Sequence, residues 1–229
     1  MRQIIEESLA KGLNRLPEEA AEKVCAAYGI ECPPSVIAAG KEECISAAEK
    51  MGFPVVLKIY SPDISHKSDA GGVAVNLQTR EETGKAFDAI MKSVSEKYPD
   101  AAIAGMEVQK MMPPGVEVII GGLRNDQFGP VVMFGLGGIY IEVFRDIEFR
   151  LAPLTMAEAR RQIEQTRVYR LLQGVRGNKP CDLDALCRML VNTGDLLLEN
   201  EEIREVDFNP VLCYEDRCVA VDARIVIGK

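Results

Sequence analysis

The chain has 229 residues, 47% hydrophobic and 27% charged, with a formal net charge of −8. That is the composition of a globular chain long enough to bury a sizeable core, and it excludes disorder, collagen-like repeats and fibres. The acidic balance argues against binding a nucleic-acid backbone, and no apolar run reaches the length that spans a bilayer.

The first nineteen residues, MRQIIEESLAKGLNRLPEE, carry charge throughout and lack the apolar stretch of a signal peptide. Residues 17–28 read as a helix. Pro17 suits its first turn, Glu18 and Glu19 suit the positive end of its dipole, and Gly29 is a natural stop. After Pro33 and Pro34, residues 35–39 are extended, and 41–51 form a second helix closed by Gly52. The run PVVLKIY at 54–60 is β-rich, apolar and of strand length. A polar loop over 61–71 leads to a strand at 72–77, and residues 80–98 are patterned as a helix. Strands are expected at 103–110, 116–122 and 130–134, with the break Pro113-Pro114-Gly115 as the seam between two lobes. Residues 155–173 and 183–199 are helical by composition, and 203–212 with 218–227 read as a β-hairpin. Strands mixed with helices give an α/β or α+β architecture.

Seven cysteines and one histidine, with no Cys-x-x-Cys pair, make a zinc site of the usual spacings a poor reading. Reduced thiols in a cytoplasm fit better.

Lys58 interrupts an apolar strand, where an unpaired ammonium is costly. It holds an anion such as a nucleotide phosphate against the sheet, or it lies at a sheet edge with its stem packed and its head in water; the strand alone favours the edge. His66 sits in the polar loop SPDISHKSDAGGV. A lone histidine is most often an ordinary surface residue, yet an imidazole largely unprotonated near its intrinsic pKa of about 6.5 is also a nucleophile at neutral pH. Ser65, Ser68 and Asp69 are placed to orient its ring, Lys67 to offset phosphate charge, and Gly71 and Gly72 to bring backbone N–H groups to phosphate oxygens.

Glu107, Gln109, Lys110 and Met111 precede the PPG break. At a hinge their backbone can read an adenine edge; otherwise they are a solvated strand end. Glu117 bonds ribose hydroxyls or faces water. The stretch Gly135-Leu136-Gly137-Gly138 lacks the Lys-Ser/Thr ending of a phosphate loop and has no clean GxGxxG. Arg124, Arg145 and Arg150 suit phosphate or a partner subunit equally.

The C-terminal hairpin turns at Glu215-Asp216. Two-residue and four-residue loops give the same register, and both set Asn209 across from Asp222, with Cβ atoms about 4.5–5.5 Å apart. Asp207 lies on that face too, opposite Arg224. Such oxygens suit a hard cation like Mg2+, which takes one or two protein oxygens and completes its shell with water and phosphate. A polar outer face with an Asp–Arg ion pair is the plain alternative. Pro210 implies an edge or irregular strand.

Taken together, GFPVVLKIYSPDISHKSDAGGV, EVIIGGLRNDQFGPVVMFGLGGIYIEVFRDIEFRLAPL, LLQGVRG, EVDFNPVL and AVDARIV resemble, nearly end to end, the β subunits of ADP-forming acetyl-CoA synthetases (acetate–CoA ligases). These are ATP-grasp proteins related to succinyl-CoA synthetase. The resemblance implies two lobes, each with a mainly antiparallel sheet and helices, and a nucleotide in the cleft between them. It implies one ATP-grasp unit over residues 1–229, with the N-terminal segment and first lobe at 1–110 and the second lobe at 111–229. It makes Lys58 the nucleotide-phosphate lysine and His66 the residue that takes a phosphoryl group. Gly71 and Gly72 become the glycine loop over the phosphates, Gln109, Lys110 and Met111 the adenine hinge, and Glu117 the acidic residue after it. Asn209 and Asp222 match the metal-binding pair, with Asp207 beside them. Arg124-Asn125-Asp126 departs from the family's common Arg-Asp-Pro, and Phe208 replaces an isoleucine.

The implied reaction interconverts acyl-CoA, ADP and phosphate with free acid, CoA and ATP. The implied cofactors are ATP or ADP and Mg2+. CoA would bind a separate α subunit, in an α2β2 assembly in the cytoplasm. Two readings compete: an ATP-grasp ligase working through a free acyl phosphate, which needs no phosphohistidine, and a nucleotide-sensing subunit without turnover.

Overall fold

Four short strands, β1 (Ser35–Ala38), β2 (Val55–Tyr60), β3 (Val73–Leu77) and β4 (Gly105–Lys110), build an antiparallel sheet in the order β1–β4–β2–β3. They belong to a computed structural model that describes residues 2–64, 66–138, 146–175, 177 and 179–228. Ser65 and Arg145, named above, lie outside the described residues. Helices α3 (Lys41–Met51) and α4 (Arg80–Lys97) pack against this sheet and against each other. Thr79 caps α4 by accepting from the Glu82 N–H at 3.1 Å, and Ile90 and Val94 turn into the core with Leu57, Ile59, Met106 and Val108.

The second sheet has six antiparallel strands: β5 (Val116–Asn125), β6 (Gly129–Leu136), β7 (Ile147–Leu151), β8 (Ile203–Cys213), β9 (Cys218–Ala220) and β10 (Ala223–Ile227). Their order is β10–β8–β5–β6–β7, with β9 paired to β8. Helix α7 (Leu183–Glu199) covers one face, burying Leu186, Met189, Leu190, Leu196 and Leu197 at helical spacing. Asp182 caps its start by accepting from the Ala185 N–H at 2.9 Å. Arg124 closes its other end. The guanidinium donates to the carbonyls of Leu197, Asn200 and Ile203, which puts a cation where the helix dipole is negative.

The chain divides into two compact units, Pro33–Pro113 and Met1–Cys32 with Pro114–Lys229. The boundary after Pro113 falls at the anticipated seam. The N-terminal segment, grouped with the first lobe in the sequence reading, instead belongs to the second unit. Of the two helices there, α1 (Arg2–Ala10) and α2 (Glu18–Ala27), the sequence reading gives only α2, whose first turn is acidic where that of α1 is not. Edge hydrogen bonds explain the assignment: Leu16 N–H donates to Ile225, Ile227 N–H to Asn14, and Ala220 N–H to Glu31. Ile5, Leu16, Val24 and Ile30 then enter the same core as Phe134 and Phe208.

Two further differences are local. The helix expected over 155–173 is split into α5 (Met156–Glu164) and α6 (Tyr169–Leu172). The Asp146 carboxylate accepts from the Arg167 and Val168 N–H groups and starts a new turn there. Strand β7 is absent from the sequence reading although IEFRL alternates apolar and polar residues; Phe149 and Leu151 are exposed. All seven cysteines are free thiols, and burial pushes Cys44 and Cys187 up to about 11. No helix among the described residues is long and apolar enough to cross a membrane.

Replacing Arg124 with alanine removes a charged donor from three carbonyls. Its unfolding free energy should fall by about 1.5–3 kcal/mol, read from the shift in urea midpoint.

Candidate active site

The lysine in PVVLKIY is not at a sheet edge. β2 lies between β4 and β3, and Lys58 is 6% exposed. The edge reading is therefore overturned, because β4, distant in sequence, supplies the missing neighbour. Directly across from Lys58 in that pairing stands Glu107, 2% exposed. Lys58 Nζ approaches Glu107 Oε2 at 3.8 Å, and Lys67 Nζ approaches the same oxygen at 3.6 Å. The other carboxylate oxygen accepts from Gln109 Nε2 at 3.2 Å. Desolvating such charges is costly, and removing one partner of a buried pair typically costs about 3–5 kcal/mol. Glu107 places a carboxylate oxygen within 4 Å of both buried lysine nitrogens.

Lys67 belongs to the turn that carries His66. Ala70 N–H donates to the His66 carbonyl, Gly71 N–H to Ser68, and Gly72 N–H to Lys67. His66 itself is exposed, with buried Ile64 before it and buried Lys67 after it. Two donors from α4 hold the far end of the turn: Ser93 Oγ bonds the Ala70 carbonyl at 2.9 Å and Lys97 Nζ the Asp69 carbonyl at 2.8 Å. The paired glycines are required here for space. A β-carbon at Gly72 would stand 2.4 Å from Ile59 Cγ2, and one at Gly71 would stand 2.4 Å from Ser93 Oγ, with φ at +68°. They let the His66 turn lie against β2 and α4.

Gln109, Lys110 and Met111 end this unit. The Gln109 side chain is buried against Glu107. Lys110 Nζ bonds the carbonyls of Gly52 and Phe53, at 2.6 and 3.3 Å. The N–H groups of Lys110 and Met111 donate to Pro34 and Pro54.

Glu117, Asp207, Asn209 and Asp222 are in the other unit. Glu117 is exposed near the start of β5. Gly138 leaves room for it, since a β-carbon there would lie 2.7 Å from Glu117 Oε2, and a β-carbon at Gly137 would strike the Val118 backbone. Gly137 and Gly138 therefore serve close approach to β5, whereas Gly135 makes room for Asp146 and Ile147. Arg124 is spent on α7, and Arg150 donates to the Phe149 carbonyl and Gln165.

The hairpin has the anticipated register. Cys213 pairs with Cys218, Phe208 with Ala223 and Asp207 with Arg224. Asn209 N–H donates to the Asp222 carbonyl at 3.3 Å, which sets those two residues opposite each other between β9 and β10. Val206 and Phe208 fill the core, so Asp207 and Asn209 project from the other face. Arg224 makes its ion pair diagonally, with Glu205 at 4.0 Å, and not with Asp207. Burial raises the Asp207 carboxyl above its ordinary value, and the charges of Glu205 and Asp222 raise it further against the opposing effect of Arg224. That crowding of oxygens and negative charge fits a divalent cation. Among the described residues no three His, Cys, Asp or Glu side chains form a metal cluster alone. An amide and one or two carboxylates completed by phosphate and water is the Mg2+ pattern.

The ATP-grasp domain family matches residues 7–227. The chain belongs to the ATP-grasp family. Among ATP-grasp relatives, it is 45% identical to the β subunit of acetate–CoA ligase (ADP-forming) I from Pyrococcus furiosus, over 99% of this chain and 97% of that one. It is 44% identical to acetate–CoA ligase (ADP-forming) I from Archaeoglobus fulgidus, again over 99% of this chain but only 33% of that longer protein. Acetyl-coenzyme A synthetase 1 of Ca. Korarchaeum cryptofilum, solved with coenzyme A and Ca-AMPCP, superposes with a TM-score of 0.96 at 45% identity, covering 99% of each chain. That synthetase has also been solved with a phosphorylated phosphohistidine segment in a site I orientation, and with the segment pointing towards the nucleotide binding site. Both sheets of the present ATP-grasp chain are antiparallel and carry helices, as the sequence resemblance implied.

Sequence reasoning did not single out the Lys67–Glu107 contact. A carboxylate in the apolar strand GMEVQK was the available signal, but only strand order reveals its partners. Gly72→Ala should push the His66 turn off β2 and cost about 1–3 kcal/mol in overpacking, measured as a lowered denaturation midpoint.

Proposed function

We propose that this chain is the nucleotide-binding subunit of an ADP-forming acyl-CoA ligase, of the acetate–CoA kind, acting with a CoA-binding α subunit in an α2β2 assembly in the cytoplasm. The observation that carries the reading is the buried Lys58, joined through Glu107 to the residue next to the exposed His66. The near-complete likeness to a β subunit of similar length supports a separate partner chain.

In this reading a His66 ring nitrogen takes a phosphoryl group generated with the partner and passes it to ADP. The N–P bond breaks, a bond forms between that phosphorus and a β-phosphate oxygen, and the imidazole leaves with its electron pair. Lys58 and Lys67 balance the charge of the oxygens in transit, and Gly71 and Gly72 bring backbone close to them. Glu117 holds the ribose, and the chain at Gln109, Lys110 and Met111 flanks the base. Asn209 and Asp222, with Asp207, would hold Mg2+, which neutralises and aligns the phosphates when bound. The transfer then rests on positioning and charge rather than on further covalent chemistry. A covalent carrier suits a reaction whose two halves belong to different subunits.

Incubating the reconstituted pair with γ-labelled ATP should place acid-labile label on His66, and His66→Ala should abolish both label and ligase turnover. Turnover at the unaltered rate in His66→Ala would end the carrier role and favour a free acyl phosphate. Asp222→Asn should raise the Mg2+ concentration needed for half-maximal labelling by about tenfold or more, as loss of one carboxylate ligand implies.

A further inference from the structure

Glu107 has a place in this site that the reaction scheme leaves unused. It touches neither nucleotide nor phosphoryl group in the reading above, yet it is the anion that two lysines share. One lysine, Lys58, is fixed in a central strand; the other, Lys67, is carried by the turn and follows His66 directly. Other anchors of that turn include Asp69 and Ala70, where α4 donates to the backbone, and the Lys67 carbonyl, which accepts from Gly72 N–H. The charged contact of Lys67 adds a tie between the histidine end of the turn and the oxygen that Lys58 also approaches.

We propose that the Lys67–Glu107 ion pair is a releasable pin that holds the His66 turn beside Lys58, making Glu107 a positioning residue for phosphoryl exchange between His66 and the nucleotide. The proposal rests on the carrier reading of His66. Release is feasible because Glu107 is not stranded when Lys67 leaves. Lys58 stays at 3.8 Å as a counter-charge, and Gln109 still donates to the other oxygen. The penalty of an uncompensated buried carboxylate is avoided. A pair of one lysine and one carboxylate would lack that property and would lock the turn. Once pinned, the ammonium of Lys67 is also held near the phosphate lysine, where a phosphoryl group on His66 would meet both.

The test separates the two half-reactions of the reconstituted complex. Labelling of His66 is followed from γ-labelled ATP with Mg2+, and separately from acetyl-CoA with labelled inorganic phosphate. Glu107→Gln should slow labelling from ATP by about tenfold or more, leave labelling from acetyl-CoA within about twofold, and recover most of the rate in Glu107→Asp. Glu107→Met carries the same comparison if the glutamine variant does not assemble. The double variant Lys67→Met/Glu107→Gln should be no slower than the slower single, as expected of one shared interaction. Equal slowing of both half-reactions, or no slowing of either in a wild-type background that labels normally, would overturn the pin alone. A wild-type complex that takes no label from ATP would overturn the carrier reading and the pin with it.

Discussion

One buried carboxylate organises the first unit. Glu107 lies on a central strand and takes Lys58 from the neighbouring strand and Lys67 from the loop that bears His66. It is a shared counter-charge for two buried lysines. Burial of that kind is tolerated only with a counter-charge and hydrogen bonds in place. The same contact joins the part of the chain suited to phosphate with the part that carries the solitary histidine. Packing, through the glycines at 71 and 72, brings that turn close enough for the contact to form.

The second unit concentrates charge of the opposite sign. Alternation along β8 sends Val206 and Phe208 into the core and Asp207 and Asn209 to the other face, and the hairpin sets Asp222 beside them. Burial raises the Asp207 carboxyl above its usual value, and the charges of Glu205 and Asp222 raise it further. Cationic and anionic groups are thus each built on strands of their own unit. Residues that looked available for phosphate, Arg124 above all, are instead used to finish α7.

Legibility from the sequence followed the range of the interaction. The helix at 41–51 is legible because its Gly52 stop acts within a few residues, and that at 183–199 by its composition. The hairpin register was readable because two plausible loop lengths give the same pairing, so Asn209 and Asp222 could be set together with no knowledge of the rest. The split of the helix over 155–173 was hidden, since Asp146 reaches it from outside the segment. The N-terminal segment was misassigned for a similar reason: its partners are the last strands of the chain.

The amino-acid sequence by itself determined most of the elements, the hairpin pairing and, through its motifs, the ATP-grasp family. Each depends on local chemistry or on residue identities that stand in order along the chain. Only the tertiary structure decided that Lys58 lies on a central strand, that Glu107 is its partner, and that Lys67 shares it. Strand order is set by how whole surfaces bury against one another. A residue 49 positions away becomes the nearest neighbour of Lys58 only once β4 has inserted between β1 and β2.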